Sequence, residues 1–114
     1  MKKTIFASLT LTALLAMPIQ AQSQELDKLI LPDGFSIEVY AKVRNARQMS
    51  LGDDGTVYVG TRSRAGGRIF AIPDADGDGN ADEVITIAGG LKTPSGLTYH
   101  NGDLYIGAIS RIYK

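Results

Sequence analysis

The sequence contains no cysteine, and that absence removes several chemistries together. A disulfide framework, a thiolate metal site and a thiol-based redox centre are all excluded. Net charge is lacking too, since 12 basic residues stand against 12 acidic ones. Such a balance offers neither a basic patch for nucleic acid nor a polybasic face for a membrane surface. No apolar run reaches the ~20 residues that stable membrane insertion needs. Beyond the first 21 residues, no segment has the period of an amphipathic helix. Histidine occurs once, as His100.

The apolar run that does occur lies at the start. Met1-Lys2-Lys3 is followed by "TIFASLTLTALLAM" (4–17), then by Pro18 and "IQAQSQ". Positive, apolar and small-residue regions in that order predict a secretory signal over residues 1–21, cleaved after Ala21. The expected location is periplasmic or secreted. Residues 22–114 then carry ten basic and twelve acidic side chains. An exported chain without cysteine depends on its core, or on bound metal, for stability.

Past the polar stretch 22–28, the residues read as short strands separated by turn signals. Phe35, Ile37 and Val39 alternate with Ser36, Glu38 and Tyr40, which predicts a strand over 35–40. "RQMSL" (47–51) and "TVYVG" (56–60) flank "GDDG", while "RIFAI" (68–72) and "VITIA" (84–88) flank an aspartate-rich loop. "SGLTY" (95–99) and "DLYIG" (103–107) flank "HNG", and "RIY" (111–113) begins one more strand.

These strands repeat. Ile37, Val39, Val43 and Met49 correspond to Ile85, Ile87, Leu91 and Leu97, 48 residues on. Gly55, Tyr58, Val59 and Gly60 correspond to Gly102, Tyr105, Ile106 and Gly107 at 47, and "RIF" to "RIY" at 43. A four-strand unit recurring at about 40–50 residues predicts an all-β fold, a β-propeller built of blades. A β-sandwich or an open meander is the competing architecture. The chain holds about two blades, whereas a ring typically has about four to eight. Residues 22–114 are therefore expected to form an incomplete N-terminal portion of a propeller domain, inactive and poorly folded alone. The strand at 35–40 is expected to complete the last blade of the ring.

Strand direction assigns the loops to faces, because successive antiparallel turns alternate. The links 42–46 and 92–94 and the loop "TRSRAGG" (61–67) share one face. Arg47, Arg62 and Arg64 collect there with Ser95, and guanidinium groups pair bidentately with carboxylates. Solvated loop charges are the alternative for Arg62 and Arg64. "GDDG", "HNG" and the aspartate loop belong to the opposite face. That places His100 away from the arginines and argues against a general-base role, which requires reach to the reacting group.

In "DADGDGNADE" (74–83), Asp74, Asp76 and Asp78 fall at positions 1, 3 and 5 of a calcium loop, with Gly79 at the turn. Asn80 would supply a carbonyl and Asp82 a further carboxylate. Ile85 stands where an EF-hand has its twelfth-position acid. The spacing instead resembles the shorter D-x-D-x-D-G-x-x-D calcium loop found in hairpins of some propellers, notably the integrin head. An ion-free acidic hairpin shaped by Gly and Asp turn geometry is the alternative.

Four stretches, "LPDGFSIEVYAKVRNARQMSLGDDGTVYVGTR", "GRIFAI", "DGDGNADEVITIAGGL" and "TPSGLTYHNGDLYIGAISRIYK", resemble the N-terminal part of the glucose/sorbosone dehydrogenase family. The resemblance spans residues 31–114. It implies a six-bladed periplasmic propeller that uses pyrroloquinoline quinone (PQQ) with calcium and oxidises sugars or related alcohols and aldehydes, passing electrons to an acceptor. It places Arg47 and Arg62 among mouth-facing, cofactor-binding groups. The catalytic histidine and most cofactor ligands are expected beyond Lys114. The competing functional reading is a non-redox propeller, either a lactonase-like hydrolase or a calcium-stabilised binding module, because a fold does not fix a function.

Overall fold

Alternation of apolar and polar residues is realised as seven strands in a computed structural model that describes residues 26–64 and 66–114. The strands are β1 (Ala46–Leu51), β2 (Val57–Thr61), β3 (Gly67–Ile72), β4 (Ile85–Leu91), β5 (Gly96–His100), β6 (Asp103–Ala108) and β7 (Arg111–Tyr113). The first four form one sheet in the order β1-β2-β3-β4, and the last three form a second in the order β5-β6-β7. Every neighbouring pair is antiparallel. Both sheets are open, so the architecture is all-β with two antiparallel meanders. The export signal at 1–21 lies outside the described residues. Among the described residues, no helix is long and apolar enough to cross a membrane.

The chain divides into two units between Ile37 and Glu38. Within the first, a 3-10 turn covers Leu26–Lys28. A reverse turn follows, in which the Phe35 amide donates to the Pro32 carbonyl at 3.2 Å. Gly34 takes the left-handed position of that turn, with φ of 86°. The strand expected over 35–40 does not form, and residues 35–43 join neither sheet. Alternation marks which side chains are apolar; a strand also needs a partner edge for its amides and carbonyls.

All seven strands lie in the second unit. Its tight turns are set by local chemistry. Asn101 and Gly102 have φ of 50° and 85° between His100 and Asp103, the two left-handed residues of a type I′ hairpin. In "GDDG" the Asp54 carboxylate accepts from the Thr56 amide and the Thr56 hydroxyl, each at 3.0 Å. Those two donors, the amide first, hold the Asp54 carboxyl below its ordinary value.

Register then decides the faces. Opposed residues Val57 and Ile72, and Val59 and Phe70, share one face of the first sheet with Met49 and Leu51. Tyr58 opposite Ala71, and Gly60 opposite Ile69, lie on the other. The second sheet packs on that other face. Ile69 is fully buried with Leu97 and Ile106, and Tyr58, Ala88, Leu91, Leu104 and Tyr113 pack around them. The Tyr58 and Tyr99 rings stack with centroids 5.7 Å apart. Two hydrogen bonds cross between sheets: the Tyr99 amide donates to Ser50 Oγ at 2.8 Å, and the Leu97 amide to Gln48 Oε1 at 3.4 Å.

Candidate functional site

At the end of the sheets where β1 begins and β2 ends, side chains from four separate segments surround a hollow of about 400 Å³. Its lining is Arg47 in β1, Arg62 and Arg64 in the β2–β3 loop, Thr93 and Ser95 in the β4–β5 link, and Ile109 in the β6–β7 turn. Backbone hydrogen bonds fix these segments. The Arg62 amide donates to the Asn45 carbonyl at 3.0 Å, and the Thr93 amide to the Ser63 carbonyl at 2.9 Å. Ser95 closes a turn onto the Thr93 carbonyl at 2.8 Å, and Ile109 is tied to the Lys92 carbonyl at 3.2 Å. Pro94, at the centre of that turn, is fully buried.

Sequence reasoning placed Arg47, Arg62, Arg64 and Ser95 on one face, and the structure brings all four to one hollow. Thr93 and Ile109 were missed, although the same alternation of turns assigns their links to that face. Among the described residues, no carboxylate forms an ion pair with Arg47, Arg62 or Arg64. Three like charges thus converge on a hollow whose described lining holds no carboxylate. A bound anion would relieve their repulsion and accept their forked N–H donors.

The aspartate loop leaves β3 at Ile72 and returns at Ile85, at the same end of the sheet as "GDDG" and opposite the arginine hollow. Ligand oxygens from Asp74, Asp76 and Asp78 lie within 4.8 Å of one another. Calcium binds oxygens at about 2.3–2.6 Å, so ligands on opposite sides of one ion are about 5 Å apart, and this trio fits. The same carboxylates order the loop. Asp74 accepts from the Asp78 and Gly79 amides, both at 3.1 Å, and Asp78 accepts from the Asn80 amide at 2.8 Å. Asp82 is not gathered with the trio: its carboxylate takes the Ala75 amide at 2.7 Å, across the hairpin. Nearby, the Tyr40 hydroxyl is pushed above its ordinary pKa, by burial first and then by Asp74, Asp82 and Asp78.

His100 is exposed at the "HNG" turn, on the aspartate-loop side of the sheets. Beside it the Tyr99 hydroxyl donates to Asp53 at 3.3 Å.

No protein-family profile matches this chain, and no solved structure is similar to it. An uncharacterized protein of Borreliella burgdorferi is 25% identical over 111 residues, which cover 95% of this chain. The chain spans 27% of the length of that relative.

Proposed function

We propose that these residues are two consecutive blades of a six-bladed propeller and that the arginine hollow receives PQQ in an exported dehydrogenase acting on sugars or related alcohols. The observation that carries this reading is the convergence of Arg47, Arg62 and Arg64 on one hollow, with no carboxylate partner among the described residues. PQQ is a polycarboxylate, so Arg47 and Arg62 would hold it through paired N–H donors, while Thr93 and Ser95 offer hydroxyls beside them. When bound, the quinone supplies the redox chemistry by accepting the substrate's hydride. The chain's own part is to bind and orient an anion at the end of the inner strands.

Binding is measured on the longer parent protein without residues 1–21, by titrating PQQ and following its absorbance. Arg47→Ala and Arg62→Ala should each weaken binding by roughly ten- to a hundredfold, the usual loss for a charge-assisted hydrogen bond. Wild-type affinity in both variants, or no binding to the parent chain, overturns the assignment. Sugar oxidation by a longer parent protein with PQQ, calcium and a dye acceptor tests the activity itself. PQQ binding without turnover on a broad panel would favour a binding module.

Within the same reading, Asp74, Asp76 and Asp78 bind calcium with the Asn80 carbonyl and clamp the β3–β4 hairpin, away from the cofactor. Isothermal calorimetry should show one calcium ion bound, and an excess of about 100 times the dissociation constant should add about 2.7 kcal/mol of stability. Asp76→Asn should abolish that gain, whereas Asp82→Asn should retain the ion, because its carboxylate serves the Ala75 amide. Absence of heat at millimolar calcium overturns the clamp.

A further inference from the structure

Two residues beside the arginine hollow lie in the left-handed region of backbone space, and they occupy equivalent places in the repeat. Asn45 has φ of 60° just before β1, and Thr93, 48 positions on, has φ of 50° in the β4–β5 link. Asparagine visits that region readily. Threonine does not. A β-branched residue there is an outlier, and the proline that follows biases Thr93 still further towards extended backbone. Asn45 precedes Ala46 and carries no such restriction. Strain of this kind persists only where the surroundings impose it. The second repeat unit therefore keeps a strained residue where the first has a relaxed one.

What the threonine supplies is a grip on the loop that carries two of the arginines. The Ser63 carbonyl, between Arg62 and Arg64, accepts from the Thr93 amide at 2.9 Å and from the Thr93 hydroxyl at 3.3 Å. One position earlier, the Arg62 amide donates to the Asn45 carbonyl at 3.0 Å. The two left-handed residues thus hold consecutive links of one segment, and Arg62 and Arg64 stand exposed on either side of a half-buried Ser63. Glycine or asparagine would take the backbone angle at less cost, but neither has a hydroxyl. The β-branch also restricts χ1, which keeps the Thr93 hydroxyl aimed at Ser63. A hydroxyl has a single proton to give. Given to Ser63, it is not available to an anion in the hollow, so Thr93 acts through the loop and not by contact.

We propose that Thr93 is a positioning residue for the arginine hollow. Its left-handed backbone and its hydroxyl together clamp Ser63, and so fix Arg62 and Arg64 where an anion meets them. This role rests on the reading of that hollow as the PQQ site. Like charges on a surface loop would otherwise drift apart, and the strain at Thr93 is what holds them in place. Stability and binding are then opposed at this position: relieving the backbone angle firms the fold and loosens the site.

The longer parent protein without residues 1–21 is compared as wild type, Thr93→Gly and Thr93→Ser. Glycine takes a positive φ without penalty but lacks the hydroxyl, whereas serine keeps the hydroxyl and loses only the branch. Thr93→Gly should melt at or above the wild-type temperature, yet bind PQQ about three- to tenfold more weakly, the worth of one net hydrogen bond. Its Arg62 amide should exchange with deuterium faster by a similar factor. Thr93→Ser should bring binding and protection back near the wild-type level. A residue that only stabilised the fold would lose melting temperature and affinity together. That joint loss, wild-type affinity or a wild-type Arg62 exchange rate in Thr93→Gly, or a serine variant as weak as the glycine one overturns the clamp. A wild type that binds no PQQ overturns the reading of the hollow instead, and exchange at Arg62 decides the clamp by itself.

Discussion

Ile69→Ala is expected to lower unfolding stability by about 2–5 kcal/mol, the range for truncating a buried isoleucine. A domain of this size is stable by only about 5–15 kcal/mol in total, so the variant should lose a large share of that stability. Ile69 is completely buried and clusters with Leu97 and Ile106 of the other sheet. Its cross-strand neighbour is Gly60, which has no side chain to swing into the void. The cavity therefore stays open, and its cost adds to the lost transfer energy. Ile69→Val removes one methylene and should cost about 0.5–1.5 kcal/mol. Urea denaturation checks both. A loss below about 1 kcal/mol for alanine would mean that the two sheets do not share this core.

The strands were legible in the sequence because short runs flanked by Gly, Asp and Asn turns leave little choice of register. "RIFAI" was read at 68–72 and β3 spans Gly67–Ile72; "RIY" was read at 111–113 and β7 is Arg111–Tyr113. Strand order along each sheet followed, since short turns join antiparallel neighbours. From order came the faces, and from the faces the meeting of Arg47, Arg62, Arg64 and Ser95. The pattern at 35–40 misled because side-chain alternation carries no information about which edge the backbone meets.

Two features were beyond reach for a different reason. Asp82 has the spacing of a fifth ligand, yet spacing counts candidates and does not orient them. The Ala75 amide competes for its carboxylate at 2.7 Å, a contact that depends on how the two arms of the hairpin cross. The wedge formed by Pro94 against β2 and β3 was equally hidden. Gly60 and Gly67 lie 34 and 27 positions before it, and in sequence each reads as an ordinary strand glycine.

That wedge makes Gly67→Ala the second large effect. A Cβ at Gly67 would clash with Cδ of the Pro94 ring and lie 2.9 Å from both its Cγ and the Leu91 carbonyl oxygen. The ring is rigid and buried, and Leu91 is the ladder partner of Gly67, so neither yields without moving backbone. Overpacking of this kind costs about 1–3 kcal/mol, and the clash with a rigid ring argues for the upper end. Gly89 is the control: it also lies in a strand, but its nearest neighbour is a side-chain carbon of Arg68 at 4.0 Å. Gly89→Ala should therefore be neutral or stabilise by up to about 1 kcal/mol, through the unfolded chain. The damage at Gly67 should also reach the arginine hollow, because Pro94 is the residue between Thr93 and Ser95 in its lining. Adding Pro94→Ala to Gly67→Ala removes the ring and should recover part of the lost stability, a coupling of the size seen between residues in contact, about 0.5–3 kcal/mol. Anion affinity should not recover with it, since the turn that presents Thr93 and Ser95 loses its fixed proline. Thermal melts and PQQ titrations on the two single variants and the double variant separate these outcomes; equal melting of Gly67→Ala and Gly89→Ala would show that the wedge is not tight.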